Sequence, residues 1–420
     1  MHLAVDHRQT HNRSKIRSSS EGGGRPVETR AGGTNLIGRL LSALDSASPV
    51  AAMEVLSGFL ADAFGSRSGR LFLVDYDLLM LTELAGGGLP SENCVPVEGS
   101  DAGDAFRSQE IVRVSSRSGT RLFVPVTVRA EQLGVLEVEL PAPSVETALL
   151  EDLTQVGICL AYALKSGLPC SDVLERARRH HQMALAAEMQ WALLPIRAYE
   201  CPEFSLAGQL IPAYEVGGDM FDYTIEAESL LIAVTDAMGH GLRASLLTTL
   251  AVNTIRNARR SGVDVEGQAV RADGTLHSQF GGDQFVTGLL LRVDVASGEV
   301  TVVNAGSPLP CLLKGQGMRR LRFEADFPLG MFGSTPYRTQ SFSLGPGDRL
   351  VLVSDGILEA VPRDGGEPYG ERRLEGALLA TRDVPPQETV RRIADGVRSY
   401  RGTDLRDDAT IVCLDWRGEG

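Results

Sequence analysis

The residues best placed to do chemistry in this chain are aspartates, and they recur in one pattern: an apolar run meets Asp beside a small residue. The pattern appears in Gly217-Gly218-Asp219-Met220-Phe221-Asp222, Asp236-Ala237-Met238-Gly239-His240-Gly241, Ser354-Asp355-Gly356 and Asp407-Asp408-Ala409-Thr410. LLIAVT runs into Asp236 and RLVLVS into Asp355, so a core strand ends in a carboxylate each time. Desolvating one such charge is costly, and gathering several is worse unless a cation neutralises them. Oxygen donors without His or Cys suit Mg2+ or Mn2+ rather than zinc. Two such ions about 3.5–4 Å apart can share a water and make hydroxide available at neutral pH. One Asp-Gly turn is ordinary hairpin chemistry. The ordered set, interleaved with FVTGLLL, VNAGSPLP and PLGMF, is far more specific.

Strands must hold these acids in place. From about 200 to 416, short apolar runs at 230–234, 285–291, 300–304, 349–353 and 410–414 alternate with glycine-rich acidic turns. Helical patterns near 242–260 and 386–400 complete a two-sheet core with helices outside. Upstream, 36–166 reads as two helices, a hairpin around Asp75-Tyr76-Asp77, strands at 121–126 and 133–140, and a long helix over 146–165. Residues 171–194 lack Gly and Pro, start at Ser171-Asp172 and stop at Pro195, which predicts one helix. Its Val173, Leu174, Ala177, Met183, Ala186, Met189, Leu193 and Leu194 could line a dimer seam or pack on the helix's own domain. Residues 1–35, rich in Ser, Gly, Thr and Arg, are expected to be a disordered tail.

Hydrophobic residues make up 43% of the 420-residue chain, enough for ordinary cores. The net charge of −13 argues against binding nucleic acid or anionic lipid through a positive surface. No apolar run suggests a membrane span, the N-terminus lacks a signal peptide core, and the six Cys form no CxxC pair. A cytoplasmic protein is expected.

The stretches EMQWALLP, VGGDMFDY, VTDAMGHGLRASL, FVTGLLL, VNAGSPLP, FPLGMF, LVLVSDGILEA and LRDDATIVCL make the chain resemble the SpoIIE-type branch of the PP2C metal-dependent phosphatases. The resemblance spans about 188–415. It implies a bacterial protein serine/threonine phosphatase with an αββα sandwich, two Mn2+ or Mg2+ ions, and a phosphoserine substrate on an anti-anti-sigma (STAS) regulator in sigma factor regulation. By that resemblance Asp236 holds both metals, the Ala237 carbonyl joins one, and Asp355 and Asp407 hold the second. These three aspartates are the expected catalytic set. Asp219 and Asp222 match the first acidic motif, and Gly239, His240, Gly241, Gly356 and Asp408 give support. Ser307 stands where the family usually has His. The upstream pattern resembles a GAF sensor domain, so the expected organisation is an α+β chain. It has a tail (1–35), a GAF-like α/β/α domain (36–167), a linker helix or coiled coil (168–196) and the phosphatase domain (197–420). A homodimer and an unknown GAF ligand are expected too.

Other motifs carry less. Cys170 and Arg176 fit a C-x5-R spacing, but no glycine and two acids lie between them. Asp75 and Asp77 suit a hairpin turn as well as a phosphoacceptor strand, and adjacent His180 and His181 point to different faces of a helix. Arg243 reads as an exposed helix residue. A catalytically weak or inactive scaffold is the rival reading, favoured by Ser307, and a kinase lacks a glycine-rich nucleotide motif.

Overall fold

The computed structural model describes residues 32–86, 90–116, 119–141, 146–167, 170–211, 214, 217–362, 364–401 and 408–418. Helices α1 (Gly32–Ser46) and α2 (Ala52–Phe64) come first, and β1 (Ser68–Val74) and β2 (Met80–Leu84) form the expected hairpin. Asp75 caps its turn, with Oδ1 accepting from the Leu79 and Met80 N–H groups at 2.8 and 3.2 Å. The turn explains this acid. β3 (Pro90–Pro96), α3 (Asp101–Ser108), β4 (Val112–Ser116), β5 (Gly119–Val128) and β6 (Glu131–Leu140) follow. The antiparallel sheet has the order β3-β2-β1-β6-β5-β4. α4 (Thr147–Gly167) buries Leu153, Val156, Leu160 and Leu164 in the core shared with α1 and α2. Among the described residues it is the one helix long and apolar enough to cross a membrane. Its buried stripe accounts for that composition. Residues 1–31, most of the expected tail, lie outside the described residues.

The single helix expected over 171–194 is instead two, α5 (Val173–Ala177) and α6 (Leu185–Leu193). Distant contacts override local propensity here. The Arg178 guanidinium lies 4.5 Å from the Tyr76 ring centroid, and its Nε donates to the Val74 carbonyl at 3.2 Å. The Tyr214 hydroxyl accepts from the His180 N–H at 3.1 Å and donates to the Arg178 carbonyl at 3.2 Å. Val173, Leu174 and Ala177 join the N-terminal core, and Ala187 packs on Leu210. The first half of the expected seam is therefore buried within the chain.

The C-terminal half contains β7 (Ala198–Glu200), β8 (Phe204–Ile211), β9 (Met220–Ile225), β10 (Ser229–Ala237), α7 (Leu242–Arg260) and α8 (Val265–Phe280). Next come β11 (Val286–Asp294), β12 (Glu299–Ala305), β13 (Cys311–Lys314), β14 (Gly317–Arg320), β15 (Gln340–Ser343) and β16 (Arg349–Val353). The last elements are α9 (Asp355–Leu358), α10 (Gly370–Ala380), α11 (Pro386–Arg401) and β17 (Ala409–Trp416). One sheet has the order β15-β12-β11-β10-β9 and the other β14-β13-β16-β17-β8-β7. Alternation along each strand builds the layers. Leu230, Ile232 and Val234 of β10 meet Leu350, Leu352, Val412 and Leu414 in a core between the sheets. Leu231 and Ala233 face α7 and α8, while Val351, Ile411 and Cys413 face α10 and α11. The result is an αββα sandwich.

The N-terminal domain docks on this sandwich through the β1–β2 turn. The Tyr76 ring centroid lies 4.5 Å from that of Trp191 of α6 with the planes tilted by 58°, and Asp77 accepts from Arg398 Nη2 of α11 at 2.9 Å. Glu98 accepts from Arg391 Nη2 at 2.8 Å.

Candidate active site

Strand parity brings the acids together. Asp236 continues the inward row of Leu230, Ile232 and Val234 to the last turn of β10. Phe221 of β9 also points inward, and Asp219, two residues earlier, shares its side. On the other sheet the inward rows end in Ser354 after β16 and in Thr410 and Asp408 at the start of β17. Thr235 pairs with Met220, and Val353 with Ile411, so all of these ends lie at one edge of the sandwich.

Hydrogen bonds join the two sheets there. The Asp219 N–H donates to Asp408 Oδ2 at 2.6 Å. The Ser354 hydroxyl donates to Asp219 Oδ2 and accepts from the Thr410 N–H at 2.9 Å. Gln190 Nε2 of α6 donates to the Gly217 and Asp219 carbonyls at 3.2 and 2.8 Å. From α7, Ser245 donates to the Gly217 carbonyl at 2.9 Å and Thr248 to the Gly218 carbonyl. Two glycines are required by this closeness: a Cβ on Gly218 would sit 2.4 Å from the Ala237 carbonyl oxygen, and one on Gly356 2.0 Å from that of Asp408.

Asp219 is 1% exposed. Burial, then the negative charges of Asp408 and Asp236 with a further contribution from Asp355, hold its carboxyl well above the ordinary value, against the Ser354 hydrogen bond. Burial likewise raises Asp408, although N–H groups including that of Asp219 oppose it. Both carboxylates are held by a hydroxyl or N–H groups rather than by Lys or Arg. Oxygen donors carrying crowded, buried negative charge fit a hard divalent cation. Among the described residues no three His, Cys, Asp or Glu side chains lie close enough together to hold one ion by themselves.

The structure puts Asp219 in hydrogen-bond contact with Asp408 and sets Asp236 and Asp355 at neighbouring strand ends, with Ala237 hydrogen-bonded to the Gly218 carbonyl at 3.2 Å. Asp355 opens α9, and Gly356 packs on the Asp408 backbone. Gly239 and Gly241 take φ of 88° and 71°, turning the chain into α7, and His240 between them is exposed. Asp407 lies outside the described residues. The Ser307 N–H donates to Asn304 Oδ1 at 2.9 Å.

Asp222 does not join the cluster. It sits one residue out of phase with Phe221, so its side chain faces α7, where Arg256 Nη2 and Arg259 Nη1 donate to its two oxygens at 2.7 and 2.9 Å. Both lone-pair faces needed by a metal are occupied by guanidinium. Ser354 and Gln190, by contrast, were not marked by any reading of residue type. Ser354 shares the inward parity of Leu352, and Gln190 lies within EMQWALLP, the one signal pointing to it.

The family profile described as Stage II sporulation protein E (SpoIIE) matches residues 226–417. Phosphoserine phosphatase RsbP of Bacillus subtilis (strain 168) is 28% identical over 150 residues, covering 34% of this chain and 37% of that protein. Phosphoserine phosphatase RsbU of the same organism is 22% identical over 236 residues, covering 56% of this chain and 69% of that one. The chain thus spans little more than a third of RsbP. Among solved structures, the SiaA-PP2C domain of Pseudomonas aeruginosa is 25% identical with a TM-score of 0.48, covering 56% of this chain and 94% of that domain.

Proposed function

Residues 226–417 belong to the SpoIIE family of PP2C-type domains, and on that premise we propose that the chain is a metal-dependent protein serine/threonine phosphatase. The observation that carries this reading is the placing of Asp219, Asp236, Asp355 and Asp408 at strand ends along one edge of the sandwich, with Asp219 almost wholly buried. Asp236, Asp355 and Asp407, with the Ala237 carbonyl, are the proposed holders of two Mg2+ or Mn2+ ions. When bound, the ions supply charge neutralisation and a more acidic water.

The chain's own residues do the positioning. Ser354 fixes the Asp219 carboxylate, Asp408 fixes the Asp219 backbone, and Gln190 holds the carbonyls on either side of Gly218. A water oxygen attacks phosphorus in line, the bond from phosphorus to the serine oxygen breaks, and that oxygen takes up a proton. The phosphate leaves without a phosphoenzyme.

The substrate we propose is phosphoserine on a STAS-domain anti-anti-sigma protein, in a cytoplasmic partner-switching pathway. The N-terminal domain is proposed to be a GAF-like sensor. Its proposed route to the site runs through Tyr76, which packs against Trp191, next to the Gln190 that grips the acidic loop. The proposed assembly is a homodimer.

The test is hydrolysis of a phosphoserine-bearing STAS protein with Mn2+. Asp236→Asn and Asp355→Asn each abolish turnover if the site is as proposed, while full activity in both variants refutes it. Absence of Mn2+ uptake by the wild type would favour a non-catalytic scaffold.

A further inference from the structure

Between β14 and β15 the chain makes a long excursion without regular strands, yet it is fixed at many points. Leu329 and Val286 exchange both backbone hydrogen bonds, at 2.8 and 2.9 Å. The buried Asp273 carboxylate of α8 accepts from the Gly330 N–H at 2.7 Å and the Thr335 N–H at 2.9 Å. Asp326 donates its N–H to the Asn304 carbonyl at 2.8 Å and accepts from Arg338 Nε at 2.8 Å. This anchored loop nevertheless turns two aromatic rings to solvent. Phe327 is 57% and Phe332 53% exposed, and their rings meet edge to face with centroids 4.7 Å apart.

The loop stands beside the acidic cluster. Val286 pairs with Ala237, and Leu329 pairs with Val286. At about 4.8 Å per strand, the loop backbone lies roughly two strand spacings from the residue that follows Asp236. Met238 and, on the first turns of α7, Leu242 and Leu246 are exposed next to the same strand end. Glu324, Asp326 and Arg338 give the loop a charged border, the arrangement of an apolar interface centre with a polar rim.

A phosphate ester is too small to identify one protein, so discrimination must come from the surface around it. Long-range attraction offers no help, because this chain carries −13 and a phosphoprotein brings further negative charge. Rigid exposed aromatics beside the site meet that need, since such side chains dominate interface energetics at little cost in ordering.

We propose that Phe327 and Phe332 form the docking surface for the phosphoprotein substrate, gripping its folded surface while the phosphoserine enters the acidic site. This rests on the phosphatase reading above. The test compares a phosphoserine-bearing STAS protein with p-nitrophenyl phosphate, both with Mn2+, on the full chain. In the Phe327→Ser/Phe332→Ser double variant, kcat/KM for the phosphoprotein falls at least about tenfold, within the range of a lost interface anchor, while that for p-nitrophenyl phosphate stays as in the wild type. A Phe327→Leu/Phe332→Leu variant, which keeps apolar area, retains most of the phosphoprotein rate. Unchanged phosphoprotein turnover in the Ser variant overturns the inference, and so does an equal loss on both substrates, which would make the loop a support for the site. A wild type that hydrolyses only p-nitrophenyl phosphate overturns the docking inference while the phosphatase reading stands. A wild type that hydrolyses neither overturns both.

Discussion

Replacing Asp222 with Asn separates the two roles its sequence position allows. In the structure the carboxylate is 2% exposed and is shared by Arg256 and Arg259, which stand one helical turn apart on α7. Arg256 keeps one further acceptor, the Leu193 carbonyl at 2.6 Å. Removing the charge leaves two largely buried guanidinium groups facing a single amide oxygen. Breaking one side of a buried ion pair costs about 3–5 kcal/mol. For a domain of some 200 residues each kcal/mol moves the midpoint by about 2–4 °C, so a fall of about 6–20 °C is expected. The chain's two tryptophans, Trp191 and Trp416, lie on α6 and β17 and report on the sandwich through their fluorescence. Thermal melting followed by that fluorescence should show the lower midpoint, while Mn2+ affinity of the folded protein at low temperature stays that of the wild type. The opposite pattern, wild-type stability with lost Mn2+ affinity, would show that Asp222 binds metal and that its pairing with α7 is of no consequence.

Two further outcomes follow from the same geometry. Burial and neighbouring charge raise the Asp219 carboxyl above its ordinary 3.8, and burial raises Asp408, so the metal-free folded state binds protons that the unfolded chain releases. The contribution of these two carboxyls to the stability of the metal-free protein is therefore greatest on the acid side and is lost as pH rises past 3.8 toward the folded values; Mn2+ should raise the melting midpoint more at pH 7.5 than at pH 5, and an equal rise at both would contradict the crowding of charge. Tyr76→Ala removes the ring packed against Trp191, which should red-shift tryptophan emission and lower the Mn2+-dependent rate several-fold; a red shift at full rate would break the proposed link from the N-terminal domain to Gln190.

Much of the architecture was legible because it is written with the shortest period a chain has. The runs LLIAVT and RLVLVS alternate between the inter-sheet core and the helix layers, and each ends in an inward polar position, Asp236 or Ser354. The same rule, carried through VGGDMFDY, separates Asp219 from Asp222, since residues three apart on an extended chain face opposite sides. Treating both as one motif merged a carboxylate at the acidic edge with one paired to α7. Other features depend on partners that local sequence does not contain. The stretch SDVLERARRHHQMALAAEMQWALL has the composition of one helix, but Tyr76 lies about a hundred residues upstream and Tyr214 beyond Pro195, and their contacts with Arg178 and His180 divide it. α8 has the converse history. VEGQAVRADGTLHSQF holds two glycines and a weak local preference, yet Asp264 caps it by accepting from the Gly267 N–H at 2.9 Å, and Ala269, Ala272 and Leu276 pack it on the sheet. That packing also carries Asp273 to the Phe327–Phe332 loop, so a helix with little propensity of its own fixes the surface beside the acidic cluster. The acidic edge of the sandwich could be read from residue types. The framework that aims it, Gln190, Ser354 and Asp273, consists of ordinary polar residues whose meaning appears only when the chain returns to them from far away in sequence.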